Sequence, residues 1–485
     1  MGAGVSDWRL AGAVSRQGAM GVVSGTALDT ILARRLQQGD PGGYMRHGID
    51  AFPDKAVASR VLDRYFRSEG TPDTHRFKPT PMGTLVETTG SEGTLSAELQ
   101  ELLVLANFVE IFLAKEGHSG VVGINYLEKI QLPNPASIYG AMLAGVDYVL
   151  MGAGIPLEIP GLLDRYARGE SGSITLTVAD VPREESIKLV FDPATVLASP
   201  PAVLKRPAFL AIVSSNVLAK TMVTRASGTV DGIIVEDHTA GGHNAPPRGT
   251  LVLSEEGEPL FGTKDEVDAA RMSELNIPFW LAGSRSDAGA VEISRRTGAQ
   301  GVQVGTLFAF CRESAFLPEL KRRFLHLVEA GRMRIFTHPE ASPTGYPIKI
   351  ARLEGTVGDD EEFARRPRVC NVGLLRHIYR KGENVGEKNG TASVRLGYRC
   401  PAEPIEAYVR KGGAEAEALN ARCLCNSLLA AVGLAMEYAG GYLEKPLLVP
   451  GEYLESLREL IRKVGLDYTA ADVIRFLGVA ETDPA

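Results

Sequence analysis

Short, uninterrupted apolar runs recur between Met20 and Val304, each closing on glycine or a small polar residue and most trailed by a stretch of helical spacing. The runs end near Ser24, Asn125, Met151, Val213, Glu236, Ala282 and Val304. Hydrophobicity that is continuous rather than alternating marks strands buried on both faces, as in a parallel sheet covered by helices. The spacing predicts helices over Leu95 to Lys115, with its stripe of Leu99, Leu102, Leu103, Ala106 and Val109, and over Pro135 to Ala144, Val217 to Ser227, Lys264 to Leu275 and Asp287 to Thr297. Ahead of the first run, Ser6 is placed to cap a helix carrying Asp7, Leu10, Ala13 and Val14, which Gly18 ends.

The alternation lapses twice, at about 40–92 and 169–207. Turn signals such as Asp40-Pro41-Gly42-Gly43, a helical piece from Lys55 to Phe66, and strand-like runs at Ile174 to Val178 and Lys188 to Phe191 mark these as insertions. Strand and helix in regular alternation predict an α/β chain of the (β/α)8 TIM-type barrel over residues 1–316, with a doubly wound open sheet as the alternative. A closed barrel of this type has eight strands, and the runs supply seven. The eighth belongs before the first helix, where only Met1 to Val5 stand, so the first strand is expected to be truncated or missing, with about ten residues of normal strand lost upstream. Beyond about Phe316 the alternation stops. Residues 317–485 carry helical stretches near Pro404 to Val409, Glu415 to Tyr438, Tyr453 to Val464 and Ala470 to Leu477, and read as a mainly helical C-terminal region without an assigned role.

Composition narrows the classes of function. At 44% hydrophobic and 23% charged, the 485 residues can bury a large core, which excludes global disorder. The formal charge of -7 and the lack of a concentrated basic run argue against nucleic acid as partner. No basic N-terminal segment leads into an apolar stretch, and no run is long enough to span a bilayer, so no membrane partner is expected and the cytoplasm is the default compartment. Of the five cysteines, Cys370, Cys400, Cys423 and Cys425 crowd into one C-terminal stretch. They could converge on zinc or an iron–sulfur cluster. Cys-Leu-Cys is an unusual zinc spacing, however, and free cysteines are among the most commonly buried residues, so the expectation is no metal.

The chemistry concentrates at the ends of the last three runs. Ala282-Gly283-Ser284 and Gly305-Thr306 close consecutive strands with small residues whose backbone N–H groups are free, which is how a barrel of this kind holds a phosphate. Glycine admits close approach of the anion, and the Ser284 and Thr306 hydroxyls add donors. The preceding run, ending on Glu236, leads into Asp237-His238-Thr239-Ala240-Gly241-Gly242-His243. Two glycines let the backbone fold tightly beneath a ligand, and the near-neutral reference pKa of histidine suits His243 to acid, base or anchoring work. His238, nearer the strand end, reads as a hydrogen-bonded structural residue. A metal held by the two histidines is disfavoured because no third ligand stands close in sequence.

These motifs, in this order, resemble the nitronate monooxygenases, formerly called 2-nitropropane dioxygenases, a family that includes the flavin-type enoyl-(acyl carrier protein) reductases. The resemblance spans about Met1 to Ser314. Gly18-Ala19-Met20-Gly21 resembles the family's glycine turn after the first helix, and Gly123-Ile124-Asn125 the segment whose asparagine contacts flavin. Ala240-Gly241-Gly242-His243 resembles the signature of the catalytic histidine, Glu236 stands where the family places an acidic flavin contact, and Gly283, Ser284, Gly305 and Thr306 resemble its phosphate loops. The resemblance implies an FMN-dependent oxidoreductase with His243 as catalytic residue and Asn125, Glu236, Gly241, Gly242, Gly283, Ser284, Gly305 and Thr306 as cofactor contacts. It implies oxidation of a small-molecule alkyl nitronate with oxygen; the alternatives are reduction of an enoyl thioester with NAD(P)H, and a non-catalytic flavin-binding component of a biosynthetic complex. The chain departs from the family in its first strand, in Ser214-Ser215 where some members carry lysine, in Ser284 for a second glycine, and in the proline-bearing stretch His243 to Gly249.

Overall fold

The computed structural model describes residues 2–89, 91–179, 181, 186–381, 387–388, 391–392 and 395–479. Met1, on which part of the first-strand expectation falls, lies outside them. The seven apolar runs form β1 (Gly21–Ser24), β2 (Val122–Leu127), β3 (Tyr148–Gly152), β4 (Ala208–Val213), β5 (Gly232–Glu236), β6 (Phe279–Ala282) and β7 (Gly301–Gln303). They make one sheet in chain order, every neighbouring pair parallel. Met20 and Val22, at the β1 edge, share an apolar cluster with Trp280 and Ala282 of β6. In a flat sheet these strands would stand roughly 24 Å apart. The sheet therefore curls into an incomplete barrel consistent with the TIM-type fold, and its interior is this cluster with Leu150, Leu210, Ile212 and Ile234. β1 and β7 are its two edges.

Local chemistry explains most element boundaries. The first helix, Trp8–Arg16, is capped by Asp7 and not by Ser6: the Asp7 carboxylate accepts from the backbone N–H groups of Arg9 and Leu10, while the Ser6 hydroxyl donates to the Val22 carbonyl at 2.7 Å and ties the helix to β1. Helix Ala97–Lys115 is capped by Ser96 and buried on nearly every side. It packs against Asn134–Leu143 so closely that a Cβ at Gly140 would lie 2.2 Å from the Val104 carbonyl oxygen. The helix expected from Lys264 to Leu275 is reduced to a turn, Thr263–Asp265, and a short helix, Ala269–Ser273, because Asp268 accepts from the N–H groups of Ala270 and Arg271 and starts the helix afresh.

The two insertions are not independent. Glu87–Thr89 and Glu92–Thr94 from the first join Gly172–Leu176 and Ile187–Phe191 from the second in a four-stranded sheet. The C-terminal region is less helical than its pattern implies. A hairpin, Ile335–His338 with Ile348–Ala351, follows helix Pro318–Glu329, and His377–Arg380 pairs with Leu396–Arg399 and, in parallel, with Val178–Ala179. The stretch Glu415 to Tyr438 breaks into helices Glu415–Leu419 and Leu424–Ala431, between which Arg422 turns inward to the Val357 carbonyl and Asp360. Helices Glu455–Val464 and Ala470–Phe476 share a second apolar core with Leu10, Val14, Leu307 and Phe310, so this region is packed against the barrel's β1 and β7 side. Among the described residues no helix is long and apolar enough to cross a membrane.

Candidate active site

Residues at and just beyond the C-terminal ends of β2 to β5 line a cavity of about 280 Å3, and a second of about 350 Å3 runs from the ends of β5 to β7 into the barrel interior past Met20, Val22, Ile234 and Trp280. The two share Glu236, Gly241 and Val449. Asn125, Gly242 and His243 stand on the first; Gly283, Ser284, Gly305 and Thr306 stand on the second. Every candidate residue read from the sequence thus lies on one continuous pair of cavities at the strand ends, where barrels of this type carry their chemistry.

The histidine loop is held from outside the barrel. The Gly242 N–H donates to the Val449 carbonyl at 2.9 Å, its carbonyl accepts from the Lys349 N–H at 2.9 Å, and the Asn244 N–H donates to the Pro347 carbonyl at 2.9 Å. A Cβ at Gly241 would lie 2.7 Å from the Gly451 nitrogen, so only glycine lets the two backbones meet. Beneath this clasp the buried Lys349 ammonium is paired with Glu452 and donates to the Thr337 hydroxyl at 2.6 Å. His243 Nε2 lies 2.6 Å from Ser342 Oγ, itself 2.8 Å from Thr344 Oγ1. Burial, with the positive charge of Lys129 acting in the same direction, pushes His243 down to about 4 and leaves the imidazole neutral at pH 7. Burial pushes the Glu236 carboxyl up to about 7, and the charge of Asp237 adds to the effect. Leu127, Ile130, Leu374, Leu375, Leu424 and Leu428 make the remaining wall largely apolar.

The second cavity is polar where β6 and β7 end. Gly283 takes φ +84°, and a Cβ there would lie 2.8 Å from that of Asp237. Ser284 adopts φ +44°, a left-handed conformation that favours glycine, and holds it at a cost in strain. At Gly305 a Cβ would meet no atom within 4 Å, so the position faces open space. Thr306 Oγ1 accepts from the Gly451 N–H at 2.9 Å, which leaves its own hydrogen to donate elsewhere. Thr239 Oγ1, on the same wall, is buried without a partner. Arg285 adds an exposed cation at the margin.

His238 does not line either cavity. Its ring stacks on Phe261 at 4.2 Å between centroids, and its Nδ1 lies 3.2 Å from an Asp237 carboxylate oxygen. Sequence reasoning missed the residues that clasp and face His243, namely Ser342, Tyr346 and Val449 to Gly451. The turn signals Ser342-Pro343-Thr344-Gly345 and Pro450-Gly451 mark both segments as loops, but nothing local shows where those loops go.

No family model matches the chain. Over 101 residues it is 34% identical to a probable nitronate monooxygenase of Bacillus subtilis (strain 168), covering 21% of this chain and 27% of that protein. Over 123 residues it is 32% identical to a probable nitronate monooxygenase of Staphylococcus haemolyticus (strain JCSC1435), covering 23% and 33%. The chain therefore spans about a third or less of the length of these curated relatives. Among solved structures it is similar to FabK from Thermotoga maritima, with TM-score 0.45 and 16% identity over 98% of this chain and 88% of that one. It is also similar to nitroalkane oxidase from Streptomyces ansochromogenes, with TM-score 0.41 and 15% identity over 98% and 92%. The resemblance to the nitronate monooxygenases, drawn from the motifs, is borne out by these sequence matches.

Proposed function

We propose that the protein is an FMN-dependent oxidoreductase of the nitronate monooxygenase type, which oxidises alkyl nitronates with oxygen as acceptor. The observation that carries this reading is the junction of two cavities at Glu236, Gly241 and Val449: one gathers Gly283, Ser284, Gly305 and Thr306 at the strand ends of an otherwise mainly apolar lining, and the other sets His243 against an apolar wall. The residues present fit the cofactor: the open space at Gly305 and the unpartnered Thr239 Oγ1 give an anionic group both room and a donor. Gly283, Ser284, Gly305 and Thr306 would hold its phosphate, and Asn125, Glu236, Gly241 and Gly242 its remainder. When bound, the flavin supplies the two-electron redox chemistry.

The chain's own part is positioning and charge. Burial favours the protonated form of Glu236, which can donate as well as accept a hydrogen bond. The neutral His243 imidazole can take a proton from a nitroalkane or hydrogen-bond the oxygens of its anion, and an anion beside it raises its proton affinity. The apolar wall excludes water from both. We read the gap between the β1 and β7 edges as the place of the barrel's eighth strand, which is shortened or displaced here.

A second reading is reduction of an enoyl thioester with NAD(P)H as donor. It is favoured by the apolar wall beyond His243, which is larger than a short nitronate fills. Anaerobic absorbance measurements separate the two. Flavin that a nitronate bleaches and NAD(P)H does not supports the first reading. Flavin that NAD(P)H bleaches and an enoyl thioester restores supports the second. Flavin that neither reduces leaves a non-catalytic binding role, and purified protein that neither contains nor takes up flavin overturns all three.

A further inference from the structure

Four cysteines that the proposed chemistry leaves unused come together behind the histidine cavity. Cys400 follows the strand Leu396–Arg399, and Cys423 and Cys425 stand at the start of helix Leu424–Ala431. With Cys370 they pack in one cluster around Ala402 and Ala421, all as free thiols. They ring a pocket of about 10 Å3, the room of about one water molecule. Cys425 also lines the histidine cavity, so a single wall separates the two spaces. Cys370 packs against the cluster that holds Cys400, and both side chains face the same small pocket. Cys423 faces the Val369 carbonyl at 3.8 Å and the Asn426 amide at 3.4 Å.

The surroundings of the four differ. The Cys400 contact, assisted by the charges of Arg376 and Lys411, brings Cys370 down to about 7 against the opposing effect of burial. The same contact, with burial, pushes Cys400 up, and burial pushes Cys423 and Cys425 up. Two guanidinium groups beside the cluster donate to carbonyl oxygens: Arg368 to those of Pro401, Glu403, Ala418 and Leu419, and Arg376 to those of Gly373 and Gly83. Lys411 is paired with Glu403. Arg376, whose guanidinium binds carbonyl oxygens, favours a thiolate at Cys370 against the opposing charge of Glu403.

We propose that Cys370 and Cys400 form a peroxide-reactive dithiol, Cys370 attacking and Cys400 resolving. A two-sulfur site fits better than a metal centre, because among the described residues no group of three or more His, Cys, Asp or Glu side chains is disposed to hold a metal ion. The Cys370 thiolate attacks one oxygen of hydrogen peroxide; an S–O bond forms, the O–O bond breaks, and hydroxide leaves and takes up a proton to become water. Cys370 is then a sulfenic acid. The Cys400 sulfur attacks it, the S–S bond forms, the S–O bond breaks, and the hydroxyl departs with the Cys400 proton as a second water. Two thiols and one peroxide become one disulfide and two waters, the sulfurs giving up two electrons.

The test uses the full chain, reduced, freed of reductant and treated with one equivalent of hydrogen peroxide, then alkylated and mapped by mass spectrometry. The expected product is one disulfide between Cys370 and Cys400, with Cys311, Cys423 and Cys425 alkylated. In C400S, dimedone should trap a sulfenic acid at Cys370 roughly a hundred-fold faster than at Cys311, whose thiol burial pushes up to about 12. A bridge to Cys423 or Cys425, labelling of Cys370 no faster than of Cys311, or a metal that co-purifies and shields all four thiols overturns the proposal. The disulfide map of the unmutated chain decides the matter even where C400S does not fold.

Discussion

The two cavities meet at Glu236, and their polar residues are placed by different means. The polar residues of the β6–β7 cavity are local, since Gly283, Ser284, Gly305 and Thr306 each stand within three residues of a strand end, although Val449 to Gly451 reach its wall as well and the Gly451 N–H donates to Thr306 Oγ1. The histidine half is composite. Its loop follows β5, but the groups that fix it come from the hairpin Ile335–His338 with Ile348–Ala351 and from Val449 to Gly451, far along the chain. A site shaped by backbone at strand ends depends on conformation that glycine and small residues carry with them. A site shaped by burial and by partners depends on the whole fold.

The comparison can be broken most sharply at Gly305. Since a Cβ there meets nothing, Gly305→Asp should fold, yet its carboxylate would face the anion. Two like charges about 4 Å apart at an effective dielectric of about 20 repel by about 4 kcal/mol, or roughly a thousand-fold in affinity. Flavin should be lost on gel filtration, and full occupancy in a folded variant would remove the phosphate from this loop. His243→Asn should instead retain flavin and lower turnover by about 10²–10⁴-fold, with His238→Asn nearly silent. Equal effects at the two histidines would mean that the cavity does not choose between them.

A fourth substitution probes the distant support alone. Glu452→Gln leaves the buried Lys349 ammonium without its charge partner and should cost about 3 kcal/mol in urea unfolding at pH 7. A change below about 0.5 kcal/mol would show that the clasp stands on its backbone hydrogen bonds.

The smallest effect is a matter of slope. Glu236 is shifted from 4.5 up to about 7, so its unfolded form ionises first and stability falls as pH rises through that window. His243 is shifted from 6.5 down to about 4, so its unfolded form takes up a proton first and stability falls as pH drops. The two slopes oppose each other between pH 4.5 and 6.5. Relative to wild type, Glu236→Gln should therefore lose stability on acidification and His243→Asn on alkalinisation, each on the order of 1 kcal/mol per pH unit. Urea midpoints at three pH values measure this, and parallel profiles for all three proteins would contradict both shifts.

The same division explains what the sequence made legible. The seven strands were readable because a strand buried on both faces needs an unbroken apolar run, and β5 lies where its run, Gly232 to Glu236, predicts. The strand-end glycines were readable for the reason already given. The cap at Asp7 was misassigned because Ser6 and Asp7 both suit that position, and only the contact between Ser6 and Val22 decides between them. The joining of the two insertions and the parallel pairing of Val178–Ala179 with Ile378–Tyr379 left no local trace, since such short strands carry too few residues to show a period. The clasp on Gly242 was invisible for a related reason: backbone hydrogen bonds do not depend on which side chains flank them.

That clasp also sets an order in time. A chain made from its N-terminus presents β5 and the histidine loop long before Val449, so the loop must wait for its partners while the strands around it pair. Contacts between such distant segments raise the contact order and slow the last stage of folding. A nascent chain halted after Thr306 holds β1 to β7 and the loops that follow β6 and β7, yet His243 has neither Ser342 nor Val449 to fix it. The imidazole comes into position only when the C-terminal region arrives, so its competence reports that synthesis of the chain has reached that region.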